Sequence, residues 1–344
     1  MTGYGIDYAD AVELRAMILA GEEWHAAATT LSERCVAATE RADPPASRAT
    51  KRNLFHRASA LLRMSQALML RDDEQRRDIV RRSVDLYAKA VKHGLPREHV
   101  AIETPEGTLS GWWVEAAGSD AAGTVIVIGG VEGWAMDFDA MGDAFAERGL
   151  NTLLLDAPGQ GESRIINRHF LTPDWKASFA RAIDWCQDRA PGLPIGIVGN
   201  SMGGALTVAL ANQDSRISAC VNNGGIIKPS FGRMAGETFF GKMIAFTGLE
   251  PSDGDKAAAI WDTIEPVKPG PNAGYPLLVI QGGSDPLVAD DHGKLFMHNS
   301  PTQPKRMEHF SDGIHCIYNH MADRDAIIGD WLRARLSAAA KPSA

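Results

Sequence analysis

Apolar positions along the chain follow two rhythms that change over near residue 95. In the first stretch they recur every three or four residues: Trp24, Ala28, Leu31 and Cys35, then Leu54, Ala58, Leu61, Leu62 and Leu68, then Val80, Val84, Tyr87 and Val91. That spacing collects them on one face of a helix, so the block is predicted to be helical. The break DPPAS from Asp43 separates two of these helices, and HGLP from His93 closes the block, because proline and glycine interrupt helices. Lys51 to Lys92 is rich in Arg and Lys, which reads as a solvated helix face.

Beyond residue 97 the rhythm becomes strand, turn, helix. VAIETPEGTLSGWWVEA reads as a hairpin turning at Glu106 and Gly107. Six apolar runs then follow: TVIVIGG from Thr124, NTLLLDA from Asn151, IGIVGN from Ile195, ISACVNNGG from Ile217, YPLLVIQGG from Tyr275 and PKRMEHF from Pro304. Helical stretches are predicted at Asp137–Arg148, Pro173–Arg189, Met202–Asn212, Asp290–Met297 and Asp323–Leu336. Short, nearly continuous apolar strands alternating with helices indicate an α/β fold, a mostly parallel sheet covered on both faces. Residues 226–270 interrupt the alternation and read as a helical insertion. The organisation expected is therefore a helical block over 1–95, an α/β core from 96–225 and 271–344, and the insertion between the two core parts.

Composition narrows the class. The 344 residues are 44% hydrophobic and 23% charged, as in an ordinary soluble protein with a large core. A net charge of −8 argues against nucleic acid as the main partner. Cys35, Cys186, Cys220 and Cys316 stand far apart with no CxxC pair, which suggests reduced thiols of a cytoplasmic protein and neither a disulfide frame nor a zinc site. No metal or cofactor is expected. The opening MTGYGIDYADAVELRAMILAGEEW carries acids where a signal peptide needs an apolar core. No apolar run approaches the roughly 18 residues of a membrane helix. The expected partner is a small molecule, and a homodimer is left open.

One short stretch carries chemistry. Gly199-Asn-Ser-Met-Gly203 is G-x-S-x-G, preceded by a strand and followed by a helix. The bare pattern arises by chance; the context is what a nucleophile elbow requires. Glycines allow close backbone approach there, and the helix N-terminus turns its positive end to Ser201. A serine hydroxyl needs a base to take its proton and an acid to orient the base. Asp285, past the strand VIQGG, is the candidate acid; the loop past the preceding strand offers the amides Asn222 and Asn223. His315, in the loop SDGIHC after the last strand, is the candidate base. His292, His298, His309 and His320 read as ordinary packing or surface histidines, and Asp290 and Asp291 as helix caps. The oxyanion donors expected are the N–H of Met202 and of Val131, with Glu132 in reserve. DAPGQGES from Asp156 reads as a tight loop, since no phosphate-loop lysine follows.

Gly199–Gly204, Asp285 and His315 together resemble the α/β-hydrolase superfamily. The helical N-terminal block, the loop GGVEGW from Gly129, the phrase LLLDAPGQGES from Leu153 and the ending DGIHCIYNHMADRDAIIGDWL from Asp312 are similar to a narrower branch. That branch is the 2,6-dihydroxypseudooxynicotine hydrolases and the esterase-like proteins related to them. The resemblance implies a nucleophile at Ser201, an acid at Asp285 and a base at His315. It also implies carbon–carbon bond hydrolysis on aryl ketones or polyketide side chains, aided by an acidic residue of the insertion, for which Glu237 stands in a suitable place. Trp134, Phe239 and Phe240, with Trp112 and Trp113, are candidates to line an aromatic pocket, against core packing as the plainer reading. The helical block and the insertion are expected to form a cap that excludes water. Two other readings stand beside this one: a carboxylesterase or lactonase with the same three residues, and a non-catalytic binding protein on a hydrolase-like scaffold. Dehalogenase chemistry is disfavoured because the elbow carries Ser, not Asp.

Overall fold

The computed structural model describes residues 5–41, 43–228, 236–272 and 274–340, with residues 236 and 237 described by backbone alone. The chain divides into two compact units, Met1–His99 and Val100–Ala344.

The first unit is built from four helices, α1 (Tyr8–Leu19), α2 (Trp24–Ala38), α3 (Arg48–Ser65) and α4 (Glu74–Lys92). Their apolar faces meet in one core that includes Leu14, Ala28, Leu31, Ala58, Leu61, Leu62 and Ile79. Three starts are capped by side chains: Asp7 accepts from the Ala9 N–H, Ser47 from that of Thr50 and Asp73 from that of Arg76. Helix α1 escapes the periodicity reading because apolar residues lie all round it: Ala11 and Leu14 are buried, whereas Val12 and Leu19 are exposed. The Arg-rich stretch is not wholly a solvated face. Arg63 and Arg76 are buried, Arg63 against the Ser59 hydroxyl and Arg76 between Gln66 and Asp72.

The second unit carries an eight-stranded sheet: β1 (Glu98–Thr104), β2 (Gly107–Val114), β3 (Gly123–Ile128), β4 (Leu150–Asp156), β5 (Ile195–Asn200), β6 (Ile217–Asn223), β7 (Leu277–Gly282) and β8 (Lys305–Phe310). Their order is β1-β2-β4-β3-β5-β6-β7-β8. Strand β2 runs antiparallel to β4, and from β4 to β8 every pairing is parallel. Every residue of β3, β4, β5 and β7 is buried, as the unbroken apolar runs require of strands covered on both faces. The covering helices include α5 (Asp139–Glu147), α7 (Trp175–Arg189), α8 (Met202–Gln213), α11 (Asp291–Asn299) and α12 (Met321–Ala339), close to their predicted places. The loop DAPGQGES contains a one-turn helix, α6 (Gly161–Ile165), that the turn reading did not anticipate. Within the insertion lie α9 (Gly236–Phe246) and α10 (Gly254–Trp261). No helix among the described residues is long and apolar enough to cross a membrane.

Because β3, β5, β7 and β8 are parallel, the loops that follow them all leave from the sheet's carboxyl edge. Segments far apart in the chain are thereby brought to one place.

Candidate active site

Ser201 forms the turn from β5 into α8 with φ 56° and ψ −126°. A side chain in such a conformation carries strain of about 1–3 kcal/mol, which persists only where the surroundings impose it. Here the Ser201 N–H donates to Asn223 O at 2.9 Å, and Ser201 O accepts from the Gly204 N–H at 2.8 Å. The glycines serve close approach: a Cβ on Gly203 would lie 2.2 Å from Gly129 O, and one on Gly130 would lie 2.7 Å from Ser201 Cβ.

His315 Nε2 lies 2.8 Å from Ser201 Oγ, and His315 Nδ1 lies 2.8 Å from Asp285 Oδ2. Three side chains from the loops after β5, β7 and β8 thus stand in one hydrogen-bonded row. The Asp285 side chain is fully covered and that of His315 is 15% exposed. The other Asp285 oxygen accepts from the N–H groups of Leu287 at 2.8 Å and Val288 at 3.0 Å. Burial opposes ionisation of Asp285, but the hydrogen bond and charge of His315 and these two N–H groups outweigh it and hold the carboxyl below its usual range. Burial likewise disfavours the charged form of His315. The Cys316 sulfur and the Asp285 carboxylate favour it, and the balance lies upward from a free imidazole.

The loop bearing His315 is shaped by tertiary contacts. Cys316 and Ile317 both have positive φ, 50° and 57°. Cys316 O is held by Arg324 Nη1 of α12 at 2.8 Å and by Asn223 Nδ2 at 3.3 Å. Asn223 also donates to Asn200 Oδ1 at 2.8 Å, and Asn200 donates to Ile128 O at 3.1 Å. These amides link the ends of β3, β5 and β6 to the His315 loop. Sequence reasoning passed over Asn223 as a residue that could not supply an acid. Two consecutive asparagines at a buried strand end were the signal, since buried amides need partners.

Met202 opens α8, where a first-turn N–H has no intrahelical acceptor. The Val131 N–H meets no acceptor among the described residues. The Glu132 side chain forms an ion pair of 3.1 Å with Lys242 of α9, which leaves its backbone N–H as it was. Trp134, at the start of a short turn (Ala135–Phe138), is buried, as are Trp112 and Trp113 in their strand. Phe239 packs partly buried against the core, and Phe240 is 38% exposed. The Glu237 side chain lies outside the described residues.

Three of the other histidines have structural partners. His309 meets Asp290, His320 meets Asp312, and His292 accepts from the Ile227 N–H. Asp290 stands at the N-cap position of α11 without capping it, because its carboxylate is drawn to Lys294 and His309 instead. Asp156, at the end of β4, is fully buried and accepts from the Ala135 and Glu162 N–H groups at 2.8 Å each. Burial pushes its carboxyl up to about 7, against the pull of those two N–H groups. Among the described residues no group of three or more His, Cys, Asp or Glu side chains is placed to hold a metal ion.

A family model described as the alpha/beta hydrolase fold matches residues 123–245, a span that includes Ser201 and ends before Asp285 and His315. The 2,6-dihydropseudooxynicotine hydrolase of Paenarthrobacter nicotinovorans is 29% identical over 182 residues, 48% of this chain and 46% of that protein. The match therefore spans about half the length of that curated relative. The crystal structure of a 2,6-dihydroxy-pseudo-oxynicotine hydrolase superposes with a TM-score of 0.83 at 20% identity, covering 99% of this chain and 96% of that one. A protein named AbyA5 superposes with a TM-score of 0.71 at 16% identity, covering 97% of each chain. At these identities the superpositions speak for the fold.

Proposed function

From the premise that this chain has the α/β-hydrolase fold, we propose that it is a serine hydrolase that cleaves a carbon–carbon bond beside a ketone. The substrate is an aromatic, phenolic or polyketide-like ketone, and the route is an acyl-enzyme. The observation that carries the reading is the row Ser201 Oγ, His315 Nε2, His315 Nδ1 and Asp285 Oδ2, with 2.8 Å at each step and a strained serine at its head. Strain held in place at a part-buried hydroxyl that meets an imidazole argues for use in chemistry over a passive scaffold. The carbon–carbon part rests on the branch resemblance in the sequence and on similarity to a protein named as a 2,6-dihydropseudooxynicotine hydrolase.

In the reaction, His315 Nε2 takes the Ser201 proton as Oγ adds to the ketone carbon. Asp285 holds the ring by Nδ1 and stabilises the imidazolium. The oxygen of the tetrahedral adduct takes hydrogen bonds from the Met202 and Val131 N–H groups. Collapse restores the carbonyl and breaks the carbon–carbon bond. The electron pair leaves with the carbon, which is tolerable where a phenolic ring or second carbonyl delocalises it. The His315 imidazolium protonates that carbon. Water, deprotonated by His315, then cleaves the acyl-enzyme to a carboxylic acid and restores Ser201.

The test incubates the protein and Ser201→Ala with acylphenols, β-diketones and aryl esters, with products identified by mass. Ketone cleavage to an acid and a protonated carbon fragment, lost in Ser201→Ala, is the expected result. Cleavage of the esters alone assigns the protein as a carboxylesterase. Turnover retained in Ser201→Ala refutes the serine mechanism.

A further inference from the structure

Gln160 lies in the loop after β4 and is 3% exposed. Its Nε2 donates to Gly129 O at 2.7 Å and to Gly130 O at 2.8 Å, and its Oε1 accepts from the Ala157 N–H at 3.1 Å. Two acceptors on one side and one donor on the other fix which way round the amide stands. A primary amide carries two N–H donors on one nitrogen, so each of the two successive carbonyls receives one. A glutamate in the same place would turn lone pairs on both.

In a planar trans peptide the C=O and N–H point in opposite directions. Holding Gly130 O therefore fixes the Val131 N–H on the side away from Gln160. Gly130 itself lies against the nucleophile: a Cβ built on it would be 3.1 Å from Ser201 Oγ. Glycines at 129, 130 and 133 leave this turn little intrinsic preference for one peptide orientation. Gly129 O also lies against Gly203, whose Cβ would be 2.2 Å from it. The turn is thus gripped between the start of α8 and one buried amide.

We infer that Gln160 is a positioning residue that aims the Val131 N–H at the oxyanion formed on Ser201. The inference rests on the serine-hydrolase reading above and adds a residue to it. Gln160 touches no substrate; it acts through the Gly130–Val131 peptide.

Gln160→Met keeps the volume and removes both donors. It is expected to lower kcat by about 10²-fold, as loss of one oxyanion donor does, with KM changed less than threefold. Affinity for an arylboronic acid, which forms a tetrahedral adduct on serine, should fall in step with kcat/KM. Gln160→Asn, which keeps the amide but is one methylene short, is the second variant and should show the same split. A crystal structure of either variant should show the Gly130–Val131 peptide turned over. A folded variant with kcat within threefold of wild type and this peptide unmoved overturns the inference. So does a loss that falls on KM alone. If the wild-type protein cleaves nothing in the panel, the hydrolase reading fails, and the peptide orientation in the variant crystal still decides whether Gln160 sets it.

Discussion

Adding one methyl group at Gly130 tests the site geometry most sharply. The backbone there does not have positive φ, so alanine meets no conformational penalty of its own. All the cost comes from contacts: the new Cβ would lie 2.7 Å from Ser201 Cβ, 3.1 Å from Ser201 Oγ and 3.1 Å from Asn200 O. Carbon atoms rest at about 3.5–4.0 Å, so nearly 1 Å must be recovered by movement. Ser201 yields poorly, because Asn223 O and Gly204 N–H hold it on both sides. The Gly129–Gly130 turn yields poorly too, being bonded to Gln160. With the turn held by Gln160, most of the displacement falls on Ser201, and the hydroxyl moves relative to His315 Nε2. A misplacement near 1 Å costs about 10²-fold in rate, which is about 2.7 kcal/mol of barrier. Overpacking costs about 1–3 kcal/mol of stability, less than the 5–15 kcal/mol of a typical domain. Gly130→Ala should therefore fold, melt several degrees lower, and lose about two decades in kcat and in the rate of fluorophosphonate labelling of Ser201. A folded Gly130→Ala protein with both rates within threefold of wild type would refute the geometric argument.

Three further outcomes follow from the charged groups. Asp285→Asn should lower kcat by about 10⁴-fold, because the amide no longer stabilises the imidazolium or selects its tautomer. His315 must be neutral to act as base, and its pKa lies above that of free imidazole, so kcat/KM of the wild type should fall with acid above pH 6.5. Removing the Asp285 carboxylate should move that limb to lower pH, and a limb unmoved in the variant's residual activity would contradict the assignment. Asp156 titrates near 7 in the folded protein against 3.8 in the open chain, so the folded state binds more protons between these values. Its contribution to stability is present at acid pH and is lost as pH rises through about 7. Urea midpoints at about pH 5 and about pH 8 should show this slope in the wild type and a flatter one in Asp156→Asn; equal slopes would dismiss it.

Local spacing determined much of this protein. Apolar runs of strand length alternating with helices specified a parallel sheet, and in such a sheet the loops after β5, β7 and β8 share one edge. With the G-x-S-x-G motif to mark the serine, Ser201, Asp285 and His315 could be nominated from the chain: topology converts position after a strand into proximity. What periodicity could not reach has no local signature. Helix α1 shows no stripe, because apolar residues surround it. Arg63 and Arg76 look like surface charges until Ser59, Gln66 and Asp72 are seen to receive them. Gln160 reads as part of a tight loop and Asn223 only as an amide that supplies no acid, since their partners at 129, 130, 200 and 316 lie elsewhere in the chain. A hydrophobic pattern needs only to know which side faces inward, and that repeats along the chain. A buried amide needs a particular atom at a particular distance, and only the folded chain supplies one.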